Sequence, residues 1–187
     1  STDRIIRLTH DLLEVSTFDT YGRQARRGEV ELGELAESVL DDSRVRAGDR
    51  SLVCRIERRA AVFGNRDRLA DVLYSLIDNA IRYSPARSTV EVVVDALEDE
   101  ARLSVRDQGP GIPEERWPYL FEPLYEPHPV GGTAYVGVVS LGLYLARLIV
   151  EEHDGRIWFE TEEGAGSTFH LALPLVREGA PPGQATA

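Results

Sequence analysis

Residues 89–107 read as two consecutive strands joined by a short acidic turn, and this pair most limits what the chain can fold into. Apolar and polar residues alternate through 89–97 and again through 101–107. Such alternation is typical of strands that turn one face toward a core. Apolar residues recur at helical spacing before the pair, up to Pro85, and well after it, from Leu141. We therefore expect a sheet with helices packed on one of its faces.

The other elements follow from the same two periodicities. Asn65 is a suitable N-cap for the helix that ends before Pro85, and Gly155 closes the later helix. The spacing predicts further strands at 30–32, 52–56, 60–63, 156–160 and 167–173, and further helices at 35–48 and 141–152. Together these elements predict an α/β fold, a two-layer sandwich with a mixed sheet.

The first twenty residues carry a narrow apolar seam formed by Ile5, Leu8, Leu12 and Val15. This pattern predicts an amphipathic helix that packs either on its own domain or as one arm of a helical hairpin in a dimer. A Gly- and Arg-rich linker follows it. We expect three parts: this helix with its linker at 1–27, a main domain at 28–177 and a disordered tail at 178–187.

Composition excludes several classes of protein. The 187 residues carry a formal net charge of -11, which argues against a broad nucleic-acid surface. No apolar run approaches the roughly 20 residues that a membrane span requires. No Met occurs in the sequence, so we expect it to be a piece of a longer protein. Cys54 is the sole cysteine, which rules out an internal disulfide.

The end of the second strand carries a carboxylate followed by two glycines, Asp107-Gln108-Gly109-Pro110-Gly111-Ile112. A carboxylate there can accept a hydrogen bond from a ligand, and glycines allow a sharp turn and close backbone approach. An Asp-x-Gly turn is also common at strand ends with no ligand. The turn by itself leaves both interpretations open.

Three other segments carry groups suited to a nucleotide. The helix before Pro85 places Ser75, Asn79, Arg82 and Tyr83 within two turns, which brings together an amide for a metal, a guanidinium for a phosphate and a ring for a base. The segment Ser140-Leu141-Gly142-Leu143 opens a helix, whose free N–H groups attract phosphate. A tight turn at 164–168, which ends in Thr168, enters the last strand.

In this order the segments resemble the ATP-binding catalytic domain of sensor histidine kinases, in the same superfamily as gyrase and Hsp90. The resemblance covers residues 30–175, and it implies that the helix within 1–27 is the second helix of a dimerisation hairpin. Five motifs match: an Asn box at 78–85, glycine boxes at 107–112, 140–143 and 164–168, and an aromatic box at 121–125. Five motifs in order are specific, whereas one alone is weak. The resemblance implies a Bergerat-type ATP-binding fold, with ATP and Mg²⁺ as cofactors.

The resemblance also implies roles for individual residues. Asp107 would accept a hydrogen bond from the adenine amino group, with Thr168 supporting it through water. Tyr83 and Ile112 would line the base, Asn79 would ligate magnesium and Arg82 would contact phosphate. The matching boxes add Gly109, Gly111, Ser140, Leu141, Gly142 and Leu143 to the cofactor-binding set. No residue matches a catalytic general base.

The chain departs from the family pattern around the phosphates. Ser75 stands where an Asn is usual, Ser140 where a glycine is expected, and Glu126 where an Arg often occurs. No Arg or Lys occurs between Phe121 and Arg147. Because opposing charges neutralise a triphosphate, adenine recognition is predicted to be intact and the hold on phosphate weaker.

Three functions are consistent with the sequence. The leading one is the catalytic domain of a two-component sensor histidine kinase, a cytoplasmic domain whether or not the full-length protein is membrane-anchored. The full-length protein is then expected to be a homodimer, with a histidine-containing dimerisation domain and a response regulator as partners. The chain lacks the phosphoacceptor motif, so the acceptor His is expected upstream or on another polypeptide. One alternative is a degenerate kinase domain that binds nucleotide weakly or not at all and acts as a regulatory or dimerisation module. The other is an anti-sigma-type serine kinase of the same fold.

Overall fold

The computed structural model describes residues 26–123 and 141–176. Within those ranges the chain forms seven strands, three α-helices and one 3₁₀ helix. They are β1 (Gly28–Glu31), α1 (Leu32–Ala47), β2 (Ser51–Ile56), β3 (Ala61–Gly64), α2 (Arg66–Tyr83), β4 (Thr89–Leu97), β5 (Glu100–Arg106), the 3₁₀ helix (Glu114–Tyr119), α3 (Leu141–Glu152), β6 (Arg156–Glu162) and β7 (Gly166–Pro174).

The main sheet has five strands in the order β2-β4-β5-β7-β6. β2 pairs parallel with β4, and the other neighbours are antiparallel. In the central strand β5, Leu103 lies opposite Val94 on one side and Leu171 on the other. β1 and β3 form a separate antiparallel pair. The predicted two-layer α/β fold with a mixed sheet is confirmed.

Helix α2 supplies much of the interface between the helices and the sheet. Its N-cap is Asn65, as predicted, whose Oδ1 accepts from the N–H of Arg68 at 3.1 Å. Five of its apolar side chains are at most 1% exposed: Leu69, Val72, Leu73, Leu76 and Ile77. Burying each such side chain stabilises the fold by roughly 1.5 to 3 kcal/mol. The core therefore lies between the helices and one face of the sheet.

The last turn of α3 is tied to the start of α2 by His153, which is 5% exposed. Its Nε2 accepts from the N–H of Asn65 at 3.0 Å, and its Nδ1 donates to the carbonyl of Ile149 at 2.7 Å. The ring must be neutral to accept at Nε2. Burial lowers its pKa below the ordinary 6.5. This contact fixes the two helices that flank the candidate site.

The structure differs from the predicted elements in two places. Leu32, predicted in a strand, instead begins α1, because the carboxylate of Glu31 caps that helix by accepting from the N–H of Glu34 at 2.7 Å. The 3₁₀ helix at Glu114–Tyr119, which contains Pro118, was not predicted.

Some predicted segments lie outside the described residues. They are the N-terminal amphipathic helix, nearly all of the irregular stretch before α3, and the tail. The boundaries of the parts at 1–27, 28–177 and 178–187 therefore stay predictions. Across 26–123 and 141–176, no helix combines the length and apolar character needed to cross a bilayer.

Candidate functional site

Asp107 follows β5 directly and lies on the helix-facing side of the sheet, where it is 6% exposed. Its Oδ1 accepts from the N–H of Gly109 at 2.7 Å and from the N–H of Ser167 at 3.2 Å. Burial raises the pKa of this carboxyl above its ordinary 3.8, although the two hydrogen bonds act in the opposite direction. Among the described residues both bonds go to Oδ1, so Oδ2 can accept from a ligand.

The two glycines after Asp107 let the turn pack closely against protein. A Cβ on Gly109 would lie 2.9 Å from Oδ1 of Asp107 and 3.0 Å from the carbonyl oxygen of Tyr83. A Cβ on Gly111 would collide with the carbonyl group of Glu162. The turn is therefore pressed between the end of α2 and the β6–β7 turn. Sequence reasoning had explained these glycines by close approach to a ligand.

The first glycine turn, at 107–112, and the third, at 164–168, are hydrogen-bonded to each other. The N–H of Gly164 donates to the carbonyl of Pro110 at 2.8 Å. The N–H of Ile112 donates to Oγ1 of Thr161 at 2.9 Å, and that oxygen lies 2.9 Å from Oγ of Ser167. The two turns that flank Asp107 thus form one hydrogen-bonded unit.

The structure brings Ser167, not Thr168, to Asp107. Ser167 is 6% exposed and exchanges two hydrogen bonds with Asp107. Thr168 stands opposite Arg106 and Glu160 in the ladder, one residue along, so its side chain lies on the other face of the sheet. We therefore propose Ser167 for the supporting role that the resemblance gave to Thr168. The sequence carried a signal for this assignment. Ser167 and Phe169 are two residues apart in the last strand, so Ser167 shares the core-facing side with the apolar Phe169.

The helix α2 carries the next group of predicted residues. Asn79 is 9% exposed, and no described residue forms a hydrogen bond with its side chain. Its neighbour Asp78 is instead paired with Arg46 at 3.2 Å. Arg82 is exposed and the ring of Tyr83 is 49% exposed. A nearly buried amide with no described protein partner is suited to a ligand or metal, since buried polar groups are normally satisfied.

The first turn of α3 packs against α2 at Ser75, one helical turn before Asn79. Leu141 and Leu143 are 2% and 3% exposed, so their side chains belong to the core and only their main chain can face a ligand. A Cβ on Gly142 would collide with the hydroxyl of Ser75. Gly142 therefore has a packing reason that the sequence did not indicate, in addition to the predicted approach of phosphate. Ser140 lies outside the described residues.

Ile112 is partly buried against the core, at the other side of the Asp107 turn. Its carbonyl accepts from Nε1 of Trp117 at 2.9 Å, and the Trp117 ring meets Phe159 edge-on at 6.1 Å. Sequence reasoning missed Trp117 because it lies in the unpredicted 3₁₀ helix. The structure places this aromatic contact next to the proposed base-binding residue.

Asp107 between two glycine turns, the Asn79 amide and the start of α3 lie around one end of a two-layer α/β domain. That arrangement defines the class of an ATP-binding domain. Residues 64–177 match the family described as histidine kinase-, DNA gyrase B- and HSP90-like ATPase, and the chain belongs to this family.

Curated relatives are sensor proteins. The chain is 32% identical over 181 residues to the sensor histidine kinase WalK of Bacillus subtilis, which covers 95% of this chain and 30% of WalK. It is 35% identical over 130 residues to a methyl sulfide methyltransferase-associated sensor of Methanosarcina acetivorans, which covers 68% of this chain and 13% of that protein. The chain thus spans less than a third of the length of either relative.

A solved structure has the same fold. The nucleotide-free catalytic domain of the histidine kinase ThkA superimposes with a TM-score of 0.67 at 27% identity, and the match covers 80% of this chain and 95% of that domain. The predicted membership of the histidine-kinase superfamily is confirmed.

Proposed function

We propose that this chain is the ATP-binding catalytic domain of a two-component sensor histidine kinase. It transfers the γ-phosphoryl group of ATP to a His, which passes it to a response regulator. The observation that carries the proposal is the buried Asp107, whose Oδ1 is held by two main-chain N–H groups while Oδ2 receives no hydrogen bond from the described residues. A fixed carboxylate of this kind selects a ligand that donates a hydrogen bond.

Adenine fits this carboxylate because its exocyclic amino group is a donor. Asp107 accepts from that group, and Ser167 supports the carboxylate from β7. Ile112 and the half-exposed ring of Tyr83 lie on either side of the turn and supply apolar surface for the base. Guanine presents a carbonyl oxygen at the corresponding position, and a carboxylate repels it. The site is therefore expected to prefer ATP to GTP.

Asn79 and the start of α3 fit the phosphate end of the nucleotide. The amide oxygen of Asn79 is a hard ligand of the kind that Mg²⁺ uses beside phosphate and water oxygens. The main-chain N–H groups of residues 141–143 open a helix and attract phosphate through the helix dipole. Arg82 is exposed near the end of α2, so its guanidinium is free to reach a phosphate. Bound Mg²⁺ supplies neutralisation of the phosphate charge.

The chain positions the nucleotide, and the acceptor comes from elsewhere. We propose that a His on a helical dimerisation domain, in cis or on a partner chain, is the nucleophile, and that the full-length protein is a homodimer. Phosphoryl transfer needs mainly alignment and charge neutralisation. We therefore assign no residue of this chain as a general base.

Titration with a fluorescent ATP analogue and Mg²⁺ tests nucleotide binding. We expect saturable binding that ATP displaces and GTP displaces poorly. Thr168→Ala is the control variant. It keeps the Asp107 carboxylate, so it should bind the ATP analogue as the wild-type chain does. No saturable binding by the wild-type chain would reject the enzyme function.

Incubation with γ-labelled ATP and a separate histidine-containing hairpin tests the transfer. We expect label on the hairpin that is stable to base and lost in acid, as phosphohistidine is. A hairpin with its His replaced by Gln should stay unlabelled. Acid-stable label on a Ser of an added substrate would instead indicate the serine kinase.

A degenerate kinase domain is the second candidate, because phosphate neutralisation by the chain is weak. No Arg or Lys occurs between Phe121 and Arg147. Arg147 itself is paired with two carboxylates. Its Nη1 lies 3.3 Å from Oε1 of Glu122, and its Nε lies 3.7 Å from Oε1 of Glu151. Weak or absent binding of the ATP analogue by the wild-type chain would favour this candidate.

A further inference from the structure

Arg50 lies between α1 and β2 and joins the ends of two helices. Its Nε and Nη2 donate to the carbonyl of Ser84 at 3.0 and 2.7 Å, and its Nη1 donates to the carbonyl of Ala47 at 3.3 Å. Ser84 is the C-cap of α2, and Ala47 is the last residue of α1. The last carbonyls of a helix have no partner within it and attract a cation. One guanidinium therefore binds a terminal carbonyl of each helix, and the Ala47 carbonyl also accepts from the main-chain N–H of Arg50 at 3.2 Å.

Ser84 connects this helix end to the turn that carries Asp107. Ser84 is 2% exposed, and its Oγ accepts from the N–H of Gln108 at 3.4 Å. The side-chain oxygen of Gln108 accepts in turn from the N–H of Thr89 at 2.9 Å. Gln108 is the residue between Asp107 and Gly109, so these contacts set where the turn begins relative to α2.

We propose that Arg50 is a positioning residue of the nucleotide site and acts through Ser84. By holding the Ser84 carbonyl it fixes the end of α2, and Ser84 then holds Gln108 and the Asp107 turn. This keeps the Asp107 carboxylate at a fixed position relative to Asn79, which precedes Ser84 on α2. The proposal rests on the nucleotide-binding function proposed above.

The geometry distinguishes Arg50 from a Lys at the same position. Three donors of a planar fork reach two carbonyls that belong to different helices, and two of those donors share the Ser84 oxygen. A Lys ammonium is a compact point charge without that fork. Arg50→Lys is therefore expected to keep the charge near the helix ends and lose part of the alignment.

The test uses the 187-residue chain and the variants Arg50→Ala, Arg50→Lys and Ser84→Ala. Arg58→Ala is the matched control, because Arg58 lies beyond the other end of β2 and donates two hydrogen bonds to Asp95. We expect Arg50→Ala to weaken binding of the fluorescent ATP analogue by about threefold to tenfold and Arg50→Lys by less. Arg58→Ala leaves that affinity unchanged.

Two further readouts separate positioning from a general loss of stability. Arg50→Ala should speed amide hydrogen exchange at Gln108 and Gly109 in the nucleotide-free chain, whereas Arg58→Ala should not. The affinity losses of Arg50→Ala and Ser84→Ala should be less than additive, because both variants act on the same connection.

The outcomes either support or overturn the proposal. Unchanged affinity in Arg50→Ala, with Asp107→Asn weakened, would overturn it and leave the proposed function standing. Additive losses, or equal losses in Arg50→Ala and Arg58→Ala, would overturn it as well. If the wild-type chain binds no nucleotide, both proposals fail, and the exchange data then report only a structural contact.

Discussion

Asp107 and Ser167 exchange two hydrogen bonds across the ends of neighbouring strands. The N–H of Asp107 donates to the carbonyl of Ser167 at 2.8 Å, and the N–H of Ser167 donates back to the side-chain Oδ1 of Asp107 at 3.2 Å. The carboxylate is thus held by the strand that follows the third glycine turn. Its orientation depends on a residue 60 positions away in the sequence, and this dependence makes the site testable.

Asp107→Asn should change nucleotide affinity and stability in opposite directions. The Asn amide presents a donor toward the adenine amino group, so we expect a loss of about 1.5 to 3 kcal/mol, or tenfold or more in affinity. Burial raises the pKa of Asp107 above 3.8, so its ionisation opposes folding at neutral pH. The neutral Asn should therefore raise the unfolding free energy there.

Titration calorimetry and urea unfolding at several pH values check this pair of effects. The stability gain of Asp107→Asn should be greatest at neutral pH. It should shrink as the pH falls through the raised pKa, since the wild-type carboxyl is then neutral too. A variant that is less stable than wild type at neutral pH would contradict the assigned role of burial.

Ser167→Ala and Thr168→Ala should differ in their effects on the site. Ser167→Ala removes the hydroxyl that lies 2.9 Å from Oγ1 of Thr161, which holds the N–H of Ile112. We expect a fall in nucleotide affinity of about threefold, the worth of one ordinary hydrogen bond. Thr168→Ala acts on the other face of the sheet and should bind as wild type does. A reversed order in the titrations would restore Thr168 to the role that the resemblance implied.

The fold could be predicted because its elements are strongly periodic. The strand pair before Asp107 and the helix capped by Asn65 each follow one clear period, and both formed nearly as predicted. Motif matching implied that Thr168 supports Asp107, whereas the structure places Ser167 there. This difference shows the limit of motif matching. A one-residue shift of register reverses the face of a strand, and a motif of small residues does not fix that register.

Contacts between distant segments could not be predicted. Gly142 meets Ser75, and Arg50 meets Ser84, only because of how the helices cross, which periodicity does not specify. The 3₁₀ helix with Trp117 escaped prediction because so short an element has no period to detect. The fold was thus accessible from local pattern, and the surroundings of the site were not.

Gly166→Ala and Gly164→Ala form a matched pair at the third glycine turn. Both residues have positive φ, 100° at Gly166 and 81° at Gly164, so each substitution costs about 1 to 2 kcal/mol in backbone strain. A Cβ on Gly166 would also collide with the carbonyl oxygen of Asp107, whereas a Cβ on Gly164 meets nothing within 4 Å. Only Gly166→Ala should therefore weaken nucleotide binding.

Thermal unfolding and ATP-analogue titration of both glycine variants check this difference. Gly164→Ala should lose stability and keep its affinity. Gly166→Ala should lose more stability and also affinity. Equal affinity in the two variants would show that the Asp107 main chain tolerates displacement.

Gly142→Ala should destabilise the chain, and Ser75→Ala should rescue it. The Cβ that Gly142→Ala introduces would collide with Oγ of Ser75, but it would lie 3.6 Å from Cβ of Ser75, an ordinary contact. We expect the single Gly142→Ala variant to lose about 1 to 3 kcal/mol through overpacking. The double variant should be at least as stable as Ser75→Ala, because Ala favours the helix over Gly by about 1 kcal/mol. Urea unfolding of the wild type, both single variants and the double variant gives the coupling energy, and a value near zero would mean that the Ser75 hydroxyl simply rotates away.

His153 should make the stability of the chain depend on pH below neutrality. Its folded-state pKa is lowered below 6.5 by burial, so the unfolded chain binds more protons as the medium is acidified. The stabilisation is present above 6.5 and is lost as the pH falls through the folded pKa. Protonation of Nε2 would also break the bond from the N–H of Asn65.

His153→Gln should therefore have a lower unfolding free energy than wild type at about pH 7.5. Its unfolding free energy should also fall less between about pH 7.5 and pH 5.5, since Gln does not titrate. Urea unfolding across that range measures both effects. His170→Gln is the comparison, because burial lowers the pKa of His170 as well. That variant should retain the part of the slope that belongs to His153. Identical slopes for wild type and His153→Gln would show that the α2–α3 contact does not depend on a neutral ring.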